Sequence, residues 1–254
     1  MLMTRVMPCL LLQDDRLVKT VQFKDPRYVG DPVNAIKIYN EKEVDELVVL
    51  DISATLEGRK PPFEMLAEIA DECFMPLTYG GGVHTLETVA KLFKIGVEKV
   101  VINTHAVEDP RFITQAAEIY GSQAILASID AKKTASGYEV FTRSGTKGTG
   151  LEPATFAREM AKRGAGEILL TSIDREGTMQ GYDVELIHAV SGAVSIPLIA
   201  CGGAGQIGHF KQAVDAGASA VAAGSMAVYI GKSRAVLVNF PTAKELSAVL
   251  GETR

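Results

Sequence analysis

The sequence has no apolar run of 18 residues, although 47% of its 254 residues are hydrophobic. A membrane-spanning helix is therefore excluded, and the apolar content is expected in one large packed core. Positive charge is not in excess either: 26 Lys+Arg stand against 31 Asp+Glu, for a net charge of -5. With no basic stripe or aromatic platform, a nucleic-acid partner is excluded. Cysteine is scarce. Cys9, Cys73 and Cys201 lie far apart without CxxC spacing and leave one over in any pairing, so neither a disulfide framework nor a zinc site is expected, and the compartment should be reducing. The four histidines, His84, His105, His188 and His209, show no metal-ligand spacing and are assigned no chemistry; no metal or cofactor is expected. The opening segment MLMTRVMPCLLLQDD has one cation and a short apolar run that stops at Gln13, Asp14 and Asp15 without a small-residue cleavage site. It reads as a strand, not a secretory signal, and a cytoplasmic location is expected.

What is present is a regular alternation. Eight short runs rich in Val, Ile and Leu, at 6–12, 46–53, 76–80, 99–103, 124–130, 167–173, 197–201 and 218–224, are each followed by a polar or glycine-rich turn. Helical periodicity follows in between, most clearly over 32–43, 62–73, 86–95, 110–120, 153–163 and 207–216, several of these opened by proline in the first turn. Continuously apolar strands imply burial on both faces and hence a parallel sheet; eight βα units in about 250 residues fit a closed (β/α)8 barrel, with a doubly wound sheet as the alternative. DELVVLDIS at 45–53 aligns with GEILLTSID at 166–174, and PLTYGGG at 76–82 with PLIACGG at 197–203, both at an offset of 121. One barrel domain over 1–254, made of two half-barrels of about 1–122 and 123–254, is therefore expected.

In such a barrel the chemistry sits on the loops after the strands. Gly80, Gly81 and Gly82 follow the third run and Gly202 and Gly203 the seventh, so backbone N–H groups there approach an anion closely. Asn103 and Thr104 flank the first turn, and Gly224 and Ser225, at the same offset, flank the second. Two anion sites across the barrel mouth imply a ligand with a phosphate at each end; the simpler reading is that these glycines only permit tight turns. Asp130, Asp51, Asp174, Glu176 and Lys19 are the acid/base candidates, with Asp130 first because it ends the apolar run AILASID. Lys19 is placed in the loop after the first strand, where it is expected to close over a ligand or to lie solvated. At the opposite end Arg5, Glu46, Lys99 and Glu167 each precede or open an apolar run. By strand alternation they meet as a ring at the bottom of the barrel, either as a structural plug or as a gate for something small and polar.

These residues resemble the cyclase subunit family of imidazole glycerol phosphate synthase over essentially the whole chain, through RVMPCLL, FKDPRYVGDP, DELVVLDIS, YGGGV, VVINT, SIDAKK, GAGEILLTSIDREGT, GYD and IACGGAG. The resemblance implies a barrel, a cyclase subunit of a glutamine amidotransferase complex, that docks a glutaminase on its N-terminal face. Ammonia then passes through the barrel and closes an imidazole ring on the bisphosphate PRFAR, releasing AICAR, in histidine biosynthesis. It implies a gate of Arg5, Glu46, Lys99 and Glu167, and phosphate or substrate contacts at Gly82, Asn103, Thr104, Thr171, Gly177, Gly203, Gly224 and Ser225. Lys19 and Asp130 match catalytic positions, but Leu11 stands where the family has its other catalytic aspartate. Asp14 and Asp15 are too far along to replace it, and Thr20, Glu176 and Cys201 also depart from the usual glycine, aspartate and serine. This pattern also resembles the family's paralogues that deliver ammonia, with a glutaminase and a sugar amidotransferase, to surface-polysaccharide sugars. A non-catalytic, ligand-sensing activator of a glutaminase is a third alternative.

Overall fold

A computed structural model describes residues 3–231 and 233–251. Eight parallel strands close on themselves: β1 (Arg5–Gln13), β2 (Leu47–Asp51), β3 (Leu77–Gly80), β4 (Lys99–Ile102), β5 (Ile125–Thr134), β6 (Glu167–Ser172), β7 (Leu198–Cys201) and β8 (Ala220–Ala223). Neighbours pair in sequence order. The circle is closed by β8 on β1, where Arg5 lies beside Ala220. The alternation of apolar runs therefore does specify a (β/α)8 barrel. A doubly wound sheet would leave β5 and β6 as neighbours but β8 and β1 apart.

Outside the sheet lie α1 (Pro32–Glu41), α2 (Phe63–Glu72), α3 (Leu86–Lys94), α4 (Arg111–Tyr120), α5 (Pro153–Lys162), α6 (Val184–Ser191), α7 (Ile207–Asp215) and α8 (Ala243–Leu250). Their starts are chemically marked: Asp31, Thr85 and Asp183 accept from the backbone N–H three residues on, Pro32 and Pro153 occupy first-turn positions, and Thr242 with Glu245 forms a capping box. The predicted proline starts of α2 and α4 fall one residue early, because Pro62 and Pro110 serve as the caps. No helix among the described residues is long and apolar enough to cross a membrane.

Strand alternation divides the core in two. Val6, Leu10 and Leu12 of β1 face the helices, while Met7 and Cys9 face inward with Val48, Val101, Leu126, Leu169, Ile199 and Ala222. The inner layer is apolar, and it separates the two ends of the barrel.

Two strands carry hairpins that the apolar pattern alone did not reveal. After β1 the chain turns through Asp14 and Asp15, both in the left-handed region, and returns antiparallel over Arg16–Val21, with Leu11 opposite Val18. It then runs on over Lys24–Gly30. The strand β5 does not end at Asp130 as expected: it continues to Thr134 because Gly137–Thr142 pairs back on it, setting Asp130 beside Phe141. Both hairpins rise from the C-terminal end of the barrel and wall its mouth.

Candidate active site

The C-terminal mouth opens into a cavity of about 290 Å³. Leu11, Lys19, Asp130, Thr171 and the glycine-turn residues Gly82, Asn103, Thr104, Gly177, Gly203, Gly224 and Ser225 all line it, so the barrel brings together residues from seven different βα units.

The glycines hold their turns for steric reasons. Gly81 has φ +118°, and a Cβ there would run into the Asp51 carbonyl; Gly203 has φ +111°, and its Cβ would run into the Gly181 carbonyl. The partners of the two turns differ. Asn103 donates its amide to the Ser128 carbonyl at 3.2 Å, and the Thr104 hydroxyl accepts from the Arg143 N–H at 3.0 Å. On the other side the Ser225 hydroxyl is buried without a hydrogen-bond partner. An unsatisfied buried hydroxyl costs about 1–3 kcal/mol, which a ligand oxygen would recover. Ser225→Ala is therefore expected to stabilise the ligand-free protein by about 1 kcal/mol in thermal unfolding; a loss of stability of that size would show that the hydroxyl is satisfied.

Asp130 projects from the inner face of β5 toward the cavity, level with Thr171 of β6. The surrounding protein desolvates its carboxyl and pushes its pKa up to about 7, against the opposing pull of the Thr171 and Ser128 hydroxyls. At neutral pH it is poised to take or give a proton. Asp51 is different: its Oδ1 accepts from the Ser53 and Ala54 N–H groups at 3.0 and 2.9 Å and from the Ser53 hydroxyl, so it is a capping residue although it touches the cavity. Asp174 is turned away, accepting from the Lys133 N–H at 2.8 Å, and does not line the cavity. Asp14 and Asp15 form the exposed hairpin turn, outside the cavity.

Lys19 corrects the expectation of a flexible loop or a solvated side chain. It lies within the hairpin strand Arg16–Val21, is 5% exposed and forms an ion pair with Glu176, whose other oxygen accepts from the Thr20 hydroxyl at 2.9 Å. Burial lowers its pKa to about 8. Its ammonium reaches the β8 turn, since a Cβ on Gly224 would sit 2.9 Å from Lys19 Cε. The extra methylene of Glu176 relative to aspartate gives this carboxylate the reach to meet Lys19. Leu11, 8% exposed, presents an apolar wall where an acid/base pair would need its second carboxylate.

At the N-terminal end the four charged residues meet as the alternation predicts. The Arg5 guanidinium bonds Glu46 at 2.5 Å and Glu167 at 2.7 Å, and the Lys99 ammonium bonds both carboxylates at 3.0 Å. Glu46 also accepts from the Thr78 hydroxyl at 2.7 Å. Glu46 itself directly precedes β2 and does not belong to it. The result is a closed ring of two cations and two carboxylates beneath the apolar layer.

Sequence reasoning passed over His84 and His105, which line the cavity beside the first glycine turn. Their positions hold a clue: each directly follows a motif already singled out, GGGV and Asn103–Thr104. Among the described residues no three His, Cys, Asp or Glu side chains gather as a metal site.

Similarity to known proteins extends over nearly the whole chain. The family described as "Histidine biosynthesis protein" matches residues 5–233. A protein named "Putative imidazole glycerol phosphate synthase subunit hisF2" from Pseudomonas aeruginosa is 49% identical over 248 residues, covering 97% of this chain and 99% of its own. The "Putative imidazole glycerol phosphate synthase subunit HisF" of Leptospira interrogans is 44% identical over 252 residues, 98% of this chain and 99% of that one. The protein named imidazole glycerol phosphate synthase subunit HisF in Hyphomonas neptunium is 49% identical over 227 residues, 89% and 90% of the two chains.

Proposed function

The chain belongs to the histidine biosynthesis protein family, in its HisF-type cyclase branch, and from that premise we propose that it carries ammonia through the barrel and uses it on a bisphosphate ligand at the mouth. The carrying observation is the stacking along one axis of the Arg5–Glu46–Lys99–Glu167 ring, the apolar layer and the Asp130 cavity. Residues 1–254 act as one barrel of two half-barrels, each supplying one glycine-turn anion site.

A glutaminase docks on the N-terminal face, beneath the ring. Ammonia released there passes the ring and then an interior lined by Met7, Val48, Val101, Leu126, Leu169 and Ile199. That lining favours the neutral molecule, because an ammonium ion would lose its hydration with no carboxylate to pair with. The nucleophile thus arrives unprotonated.

At the mouth, Gly82, Asn103 and Thr104 hold one phosphate of the ligand and Gly177, Gly203, Gly224 and Ser225 the other, with Thr171 between them. Closing an imidazole ring on PRFAR to give imidazole glycerol phosphate and AICAR requires protons to be moved onto and off nitrogen. Asp130, with its pKa near 7, does this first as base and then as acid. Lys19 closes the β8 side through the Glu176 pair.

One observation favours a second reading. Leu11 supplies no proton carrier opposite Asp130, which supports a barrel that only delivers ammonia to a sugar amidotransferase at its mouth. Single-turnover conversion of PRFAR with ammonium salt at high pH, which needs no glutaminase, separates the two. For a cyclase the parent forms product, and Leu11→Asp raises the rate by about 10²-fold or more. An inactive parent rescued by Leu11→Asp supports the delivery reading. Inactivity of both proteins overturns the cyclase reading.

A further inference from the structure

The two anion sites differ in how they are charged. Around the β3–β4 turn the cavity is lined by Arg59, His84, His105, Glu108 and Arg143. Each arginine already has its own carboxylates: Arg59 pairs with Glu57 and lies 3.5 Å from Asp51, and Arg143 bonds Glu108 at 3.1 Å. Asp109, the next residue along, is held by Arg111 at 2.9 Å. These pairs leave no fixed excess of positive charge beside this turn, so the two imidazoles are the groups through which protonation adds positive charge there, while Asp130 and Lys19 titrate deeper in the same cavity.

The imidazoles are arranged as a pair. Their ring centroids are 6.1 Å apart, edge to face, and His105 also packs edge-on against Phe112 at 4.8 Å. His84 Nδ1 lies 2.9 Å from the Gly82 carbonyl, which only accepts hydrogen bonds. Nδ1 therefore carries a proton in either state, and Nε2 becomes a donor only when the ring is charged. Burial and the neighbouring His84 bias His105 toward neutrality, while Asp109 and Glu108 pull the other way. The β7–β8 side has no imidazole among the residues lining the cavity: it offers the Ser225 hydroxyl and Lys19 held by Glu176.

We propose that His84 and His105 form a proton-dependent clamp for a doubly charged oxyanion of the phosphate-ester class on the β3–β4 side of the mouth, so that this side gains more grip on its ligand as pH falls than the β7–β8 side does. The inference rests on the phosphate-ligand reading above, but it concerns how one end of the ligand is held and is independent of catalysis.

The test uses the full chain and inorganic sulfate, a dianion throughout the range, followed through the ring resonances of the four histidines. His84 and His105 report the β3–β4 side. His209, whose Nδ1 accepts from the Gly205 N–H at 3.1 Å, reports the β7–β8 side, and His188 on α6 is the remote control. Sulfate affinity at the β3–β4 side is expected to be about tenfold tighter near pH 5.5 than near pH 7.5, one pKa unit of linkage, and to change more than the affinity reported by His209, because Asp130 and Lys19 of the shared cavity act on both sides. His105→Gln is expected to remove most of the difference between the two sides, and His84→Gln with His105→Gln all of it, at unchanged thermal stability. Sulfate binding of equal strength across the range, or a double variant with the parent's pH profile, overturns the clamp and leaves the phosphate reading standing. Absence of sulfate binding on either side overturns both.

Discussion

Asp130→Asn is expected to lower ammonia-dependent turnover of PRFAR by about 10²-fold to 10⁴-fold, the usual cost of losing a positioned proton carrier, with substrate affinity nearly unchanged. The same variant should be more stable than the parent above neutral pH. In the folded protein the carboxyl's pKa is about 7 against an ordinary 3.8, so ionising it opposes folding. The stability held below about pH 4 is lost progressively as pH rises toward 7, and Asn does not share that loss. The full shift corresponds to roughly 2–4 kcal/mol, reduced from its upper end because the open side of the cavity lets water screen the charge. Urea unfolding of parent and variant at about pH 4 and pH 8 measures the difference. Equal stabilities at pH 8 would mean that Asp130 is not desolvated, and its place as a proton carrier near neutrality would fall with that result.

The second large effect belongs to the ring at the other end. Glu46 accepts from Arg5, Lys99 and Thr78 and is 2% exposed. Glu46→Gln leaves two cations sharing Glu167 alone. Stranding a buried charge costs about 3–5 kcal/mol, and since Arg5 keeps 29% of its side chain exposed, the lower end of that range is expected in denaturant unfolding. Pairing the change with Lys99→Met removes one charge of each sign and should recover most of the stability. Transfer of glutamine-derived ammonia to the acceptor should stay lost in the double variant, because the polar opening has gone. A double variant that regains both stability and transfer would make the ring a structural plug.

The two predictions draw on different kinds of information. The ring was legible because each member opens or directly precedes an apolar run, and a barrel's closed symmetry sends equivalent positions to one end. Asp130 was legible for a similar reason: it lies on the inner face of a strand identified by its apolar pattern, although the strand runs four residues further than the pattern suggested. The glycine turns could be located because a repeat at a fixed offset marks the same turn twice.

Other features depended on contacts that no local pattern encodes. Lys19 lies in a stretch that reads as a polar loop. It becomes a buried, ion-paired residue only because the hairpin folds onto Glu176, 157 positions away in the sequence. The mouth-lining roles of His84 and His105 were missed because they belong to different βα units, and only barrel closure sets their rings 6.1 Å apart. The unpartnered Ser225 hydroxyl is likewise a property of its surroundings. By itself the sequence determined the barrel, its two ends and the family, since strand period, turn chemistry and repeat are local. Tertiary structure alone decided which charges are paired, which carboxyl is desolvated and that the Ser225 hydroxyl is left without a partner, because burial and pairing depend on residues brought together across the barrel.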